Sequence, residues 1–152
     1  MPFAERTTTP VAKTRGEIEA LVEKYGASKF ASGWDGDKAA ISFAARGRLL
    51  RFTLPLPSAA DALALAKKAQ RYGWQTPTDA KVQATREMET RRRWRCLLLV
   101  LKAKLEVVET GIETFDQAFL ANIVTDNNLT VYERVALENS DVKMLTPMED
   151  AP

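Results

Sequence analysis

Three stretches in which the large apolar residues fall on alternate positions are separated by two short turn signals, and no other feature restricts the fold so much. Phe30, Ser32 and Trp34 lead to Asp35-Gly36; Ile41, Phe43 and Ala45 lead to Arg46-Gly47; Leu50, Phe52 and Leu54 follow. A period of two marks strands with one buried face, and Asp-Gly suits the positive φ angles of a type I′ hairpin turn. The pattern predicts a three-stranded antiparallel meander. The first turn sets residue 34 against 37 and 30 against 41. As a two-residue loop, Arg46-Gly47 sets 43 against 50 and 41 against 52. The large apolar side chains except Leu49 then share one face, which a one-residue slip would turn to water. Pro55 and Pro57 end the third strand, because proline donates nothing to a ladder. The other face reads Lys38, Ala40, Ser42 and Ala44 against Leu49, Arg51 and Thr53. Small side chains flanked by cations leave room for an extended polyanion or another helix; the alternative is an ordinary solvent face.

Helical patterns flank the meander. Thr14 with Glu17 three positions on reads as a capping box, and Ile18, Leu21, Val22 and Tyr25 at helical spacing predict a helix over 15–25, stopped by Gly26. Ser58 with Asp61 opens an alanine-rich helix over 59–71, closed by Gly73. From Thr78 to Thr110 there is neither proline nor glycine, so a long helix is expected as the spine of the fold, with Gly111 as its stop. Trp94, Leu98, Leu101, Leu105 and Val108 form one stripe, and the apolar run from Cys96 to Leu101 implies burial on more than one side. Residues 81–95 carry little apolar content, which leaves a separate turn or an extension as the alternative for the first half. Thr114 and Gln117 cap a helix to about Val124 with Phe115, Phe119 and Ile123 inward; Thr130 and Glu133 cap a last one carrying Val131, Val135 and Leu137. The fold class is α+β: a three-stranded meander packed on a long helix, with shorter helices completing the core. Residues 1–140 form one domain, and 141–152 form a flexible acidic tail ending in Glu149-Asp150.

Composition narrows the chemistry. Among 152 residues there is no histidine, which removes His-dependent nucleophilic triads, His-bearing zinc sites and an imidazole general base. The lone Cys96 permits no internal disulfide and no cysteine cluster. Neither a P-loop nor a Gly-x-Gly-x-x-Gly motif is present. Asp35-Gly36-Asp37 is too short for a calcium loop, and the carboxylates Glu106, Glu109, Glu113 and Asp116 have no second cluster to answer them. No catalytic residue, metal ligand or cofactor is therefore assigned. The longest apolar run is far shorter than the roughly 20 residues of a membrane span, and Met1 to Pro10 does not read as a signal peptide, so a cytoplasmic protein is expected.

The net charge of +2 conceals a basic body and an acidic end: residues 1–104 hold 20 Lys/Arg against 10 Asp/Glu, and residues 105–152 hold 2 against 10. Either the halves neutralise each other, within one fold or across an oligomer, or the basic part meets a polyanion. The densest group is Arg86, Arg91, Arg92, Arg93 and Arg95 with Trp94 among them, continuing to Lys102 and Lys104. Four arginines within five positions cannot share one helical face, so at least one points to a partner, to the acidic segment or to water. Guanidinium forks match phosphate, and aromatic rings among cations stack exposed bases.

Met1-Pro2-Phe3-Ala4-Glu5-Arg6-Thr7, Lys13-Thr14-Arg15-Gly16-Glu17-Ile18, Leu54-Pro55-Leu56-Pro57 and the helix from Arg93-Trp94-Arg95 to Lys102-Ala103-Lys104-Leu105-Glu106 together resemble a family of small bacteriophage and prophage proteins. The resemblance spans residue 1 to about 124 and is weakest over Ala59 to Trp74. It implies work in phage DNA metabolism or counter-defence and transfers no site. The leading expectation is a non-enzymatic, homo-oligomeric binder of single-stranded DNA. Arg46, Arg48, Arg51, Arg91, Arg92, Arg93 and Arg95 would contact phosphates, and Trp34 and Trp74 would stack bases. The alternative is an inhibitor or adaptor that binds a host or phage protein, its basic patch matching an acidic surface.

Overall fold

The computed structural model describes residues 3–137 and 141–145. Helix α1 (Val11–Lys24) precedes strands β1 (Lys29–Asp35), β2 (Lys38–Ala45) and β3 (Arg48–Pro55). Helices α2 (Ala59–Ala69), α3 (Asp79–Glu109), α4 (Phe115–Phe119) and α5 (Val131–Leu137) follow, with a 3-10 turn at Leu120–Asn122 after α4. The sheet is antiparallel in the order β1-β2-β3, so the fold is α+β as expected. The tip Glu149-Asp150 lies outside the described residues. No helix among the described residues is long and apolar enough to cross a membrane.

The β2–β3 register is the expected one: Phe43 faces Leu50 and Ile41 faces Phe52. Arg46 (φ 49°) and Gly47 (φ 73°) both occupy the left-handed region, as a two-residue I′ turn requires. The β1–β2 register differs from expectation by two residues, since Asp35 pairs with Lys38 and Phe30 with Phe43. The loop is Gly36-Asp37, and of these two only Gly36 has a positive φ, 58°. That is the II′ pattern, which places glycine first. A slip of two preserves the faces, so Phe30, Ser32 and Trp34 still point the same way as Phe43, Ile41 and Ala39. A Cβ added at Gly36 meets nothing within 4 Å, so Gly36→Val is penalised by its backbone alone. The expected cost is about 1 to 3 kcal/mol, read as a lower urea midpoint at unchanged slope. An unchanged midpoint would show that the turn does not set the register.

The core lies on one face of the sheet. Ile41, Phe43, Leu50 and Phe52 meet Ile18 and Val22 of α1, Trp94, Leu98, Leu101 and Leu105 of α3, and Phe115 and Phe119 of α4. The stripe predicted for the long helix is buried except for Val108, which is half-buried. Thr78 caps α3 through its side chain, and Gly111 (φ 77°) stands just beyond its end. The helix runs unbroken through residues 81–95, because Ala62 and Ala66 of α2, both fully buried, give α3 a second packing surface there.

Five local expectations need correction. The first helix begins at Val11 behind Pro10 and has no side-chain cap; Thr14 is buried inside it, and Glu17 turns to Arg95. Proline is at home at a helix start, where the missing N–H goes unused. The second helix stops at Ala69, with Gln70 in extended conformation. The fourth stops at Phe119, and Val124 donates instead to the carbonyl of Leu49, extending the sheet edge by a short bridge. Within the run Cys96 to Leu101, the structure buries Leu97, Leu98 and Leu101 and leaves Leu99 and Val100 each 43% exposed, since no element among the described residues covers that side of α3. Leu137 is likewise exposed.

Candidate functional site

Arg91, Arg92, Arg93 and Arg95 are half-buried and Arg86 is exposed, and all of them except Arg92 tie α3 to its neighbours. Arg95 Nη1 donates to Glu17 Oε2 (2.8 Å) and to the buried Thr14 Oγ1 (3.4 Å), fastening α1. Arg93 donates to the Pro55 carbonyl (2.9 Å) and to Glu89 (3.3 Å), and Arg86 donates to the Pro57 carbonyl (2.9 Å), fastening the end of β3. Arg91 Nε donates to the Thr7 carbonyl (3.3 Å), holding the amino-terminal arm. Arg92 Nη1 reaches Glu89 at 3.4 Å, and its Nε is buried with no partner. The crowding of guanidinium groups thus follows from oxygens on several sides of one helix, supplied by the amino-terminal arm, α1, the end of β3 and Glu89 of α3 itself.

The sheet arginines are also engaged. Arg48 grips Asp116 with two of its three guanidinium nitrogens (Nε to Oδ1 3.1 Å, Nη2 to Oδ2 2.8 Å). Arg51 holds Asn128 (2.8 Å to its carbonyl) and Glu133 (3.3 Å) from the carboxy-terminal segment. Arg46, strained at the hairpin tip, lies 5.5 Å over the Phe115 ring. Part of the charge asymmetry is therefore neutralised within the fold, by acidic residues beyond 104 meeting basic ones before it.

The Arg48 contact holds the Asp116 carboxyl below the usual carboxylate range, chiefly by hydrogen bonding, while its Coulombic attraction to Arg48 adds to the effect. A depressed folded value contributes stability that is present above the unfolded value near about 4 and is lost as pH falls through the folded value. Asp116→Asn is accordingly expected to leave a shallower fall of stability below about pH 4. The check is urea unfolding across an acid pH series. Identical slopes for variant and wild type would show that the pair contributes nothing, which is common for solvent-exposed ion pairs.

The two tryptophans occupy different places. Trp34, 77% exposed, sits on the edge strand β1 and borders a groove of about 880 Å³. Lys38, Arg51, Tyr132 and Glu133 also line that groove. Trp74, 80% exposed, belongs to the connection between α2 and α3. Its ring stacks on Tyr72 with centroids 5.8 Å apart and planes 27° apart, and the Arg71 guanidinium lies 5.5 Å from the Tyr72 ring. Lys67 and Lys68 stand in the last turn of α2, and Lys81 lines the recess beside Trp74. Among the described residues no carboxylate pairs with Lys67, Lys68, Arg71 or Lys81. Gln70, lining the same recess, has a buried Oε1 without a partner.

Comparison of the chain with protein-family models, curated proteins and solved structures returns no match.

Of the residues expected to bind nucleic acid, Trp74 stands beside four exposed cations that have no acidic partner among the described residues, and Arg46 is itself an exposed cation without an ion pair. The structure distributes the rest between the hairpin tip, the Trp34 groove and the flanks of α3. Lys67, Lys68, Arg71, Tyr72 and Lys81 were outside that expectation, although Lys67-Lys68 and Arg71-Tyr72 lie within eight residues of one another and of Trp74. The run was legible as a basic and aromatic segment. Lys67 and Lys68 fall inside the helix expected over 59–71, in whose last turn cations also complement the carbonyl dipoles.

Proposed function

We propose that this protein is a non-enzymatic binder of single-stranded nucleic acid in phage DNA metabolism, and that its contact surface is the α2–α3 connection. The observation that carries the reading is the exposed Tyr72–Trp74 stack beside four cations without acidic partners. Stacked rings give bases a flat apolar platform that any sequence can use, and unpaired cations release counterions from phosphates on contact. The half-buried arginines of α3 act in folding under this reading.

The test is a titration of labelled oligothymidylate and of a duplex between about 50 and 200 mM salt. Replacing Lys67 and Arg71 together with Gln is expected to flatten the single-strand salt slope by about 0.7 per lost phosphate contact. Arg91→Gln is expected to leave that slope in place. A slope that instead follows Arg91 would return the site to α3. Absence of binding at about 50 mM salt would remove the nucleic-acid reading and leave the protein-binding adaptor in its place.

A further inference from the structure

Strand β1 is the free edge of the sheet. The opposite edge, β3, is partly covered by the bridge to Ile123 and by the Val124 bond to Leu49, whereas no described segment hydrogen-bonds along the outer side of β1. Asp35 and Lys38 flank a two-residue loop and form its hydrogen-bonded pair, so alternate residues back along the strand, Trp34, Ser32 and Phe30, turn their N–H and C=O groups outward. Edge strands are ordinarily guarded by proline, a bulge or charges along their length. Here the strand is Lys29-Phe30-Ala31-Ser32-Gly33-Trp34-Asp35, seven regular residues with charges only at its two ends.

That sequence is complementary to itself when reversed. An antiparallel copy centred on Ser32 sets Lys29 against Asp35, Phe30 against Trp34 and Ala31 against Gly33, each pair occurring twice about the two-fold axis. The outward-facing residues fall opposite one another in this register, so Ser32 bonds Ser32 and Phe30 bonds Trp34 through the backbone. Phe30 and Trp34 share the face that carries Phe43 and Ala39, so the aromatic pairs would prolong the core across the joint. Lys29 and Asp35 share the other face, where opposite charges meet and Ala31 and Gly33 leave them space. A shift by two residues in either direction would lose both ion pairs.

We propose that β1 is the interface of a two-fold homodimer in which two meanders join edge to edge into one six-stranded sheet. The exposure of Trp34 follows from the absence of its neighbour, Phe30 of the second copy. This inference does not depend on nucleic-acid binding: the surface lies on the sheet edge and Trp74 lies on the α2–α3 connection. An isologous contact of this kind closes on itself, so the assembly stops at two.

The test combines mass and register. Sedimentation velocity over a concentration series is expected to show a dimer for the whole chain, and Ser32→Pro is expected to show a monomer with the wild-type far-UV circular dichroism. Proline removes an N–H that faces outward and is tolerated on an edge strand. Register is read in a Cys96→Ser background, where Ser32→Cys is expected to form an intermolecular disulfide on mild oxidation far faster than Ala64→Cys on exposed α2. Opposed residues of a hydrogen-bonded pair lie about 5.5 Å apart at Cα, within disulfide reach. A wild-type monomer throughout the series overturns the proposal. So does a dimer whose Ser32→Cys cross-links no faster than the Ala64→Cys control, and this second readout stands even if Ser32→Pro fails to fold.

Discussion

Phe119→Ala is expected to destabilise the fold by about 3 to 5 kcal/mol, a large part of the roughly 5 to 15 kcal/mol that holds a typical domain together. The side chain is fully buried and belongs to a cluster of four rings. Its ring meets Phe43 and Phe52 edge-on at 6.4 and 6.2 Å, while Phe43 and Phe52 lie nearly parallel at 6.2 Å, and Phe115 tilts against it at 4.7 Å. Lys104 lies over the same ring and donates to the Ala118 carbonyl, so α3 also loses a contact when the ring goes. Truncation removes apolar transfer energy and leaves a cavity among side chains from two strands and two helices, which cannot all close inward. The five residues of α4 are too few to hold a helix alone; the Thr114–Gln117 capping box and this packing hold it together. Leu99→Ala on the uncovered side of α3 is expected to change stability by less than about 0.5 kcal/mol. Equilibrium urea unfolding of both variants checks the contrast. A Phe119→Ala cost below about 1 kcal/mol would place the ring outside the cooperative core.

The meander was legible because its signals reinforce one another: the alternation of Ile41, Phe43, Leu50 and Phe52 and the turn at Arg46-Gly47 admit one register. The β1 register was legible only in its parity. Asp-Gly at 35–36 marks a turn, but whether glycine takes the first or second loop position depends on which cross-strand pairs pack best, and Phe30 beside Phe43 is a tertiary preference. The Thr14–Glu17 spacing was misleading for the same kind of reason. Both side chains point along one helical face, where a cap and a contact with Arg95 look identical in sequence. Arginine density in 91–95 told of helix and charge without telling which oxygens stood nearby. Apart from Glu89 on the same helix, those oxygens, on Thr7, Thr14, Glu17 and Pro55, lie far away along the chain. The α2–α3 connection was overlooked because the alanine-rich pattern over 59–71 takes Lys67, Lys68 and Arg71 into a helix and leaves Tyr72 and Trp74 as a bare linker.

Tyr72→Ala and Trp74→Ala are each expected to weaken single-strand binding by about 1 to 3 kcal/mol per lost stacked base, or about 5- to 150-fold. Both rings are substantially exposed, so thermal unfolding is expected to match wild type and the loss reads as binding alone. The salt slope is expected to stay as it is, because neither ring contacts a phosphate and no counterion is released by stacking. The pair should not behave additively. Trp74 rests on Tyr72 at 5.8 Å, and Tyr72 is in turn flanked by the Arg71 guanidinium, so removing Tyr72 also releases Trp74 from its orientation. The double variant is then expected to lose less than the sum of the single losses, the mark of residues in contact. A double-mutant cycle on oligothymidylate at fixed salt measures that coupling. Additive losses would mean that the two rings hold separate bases, and Trp74→Ala with wild-type affinity would remove this platform from the binding surface.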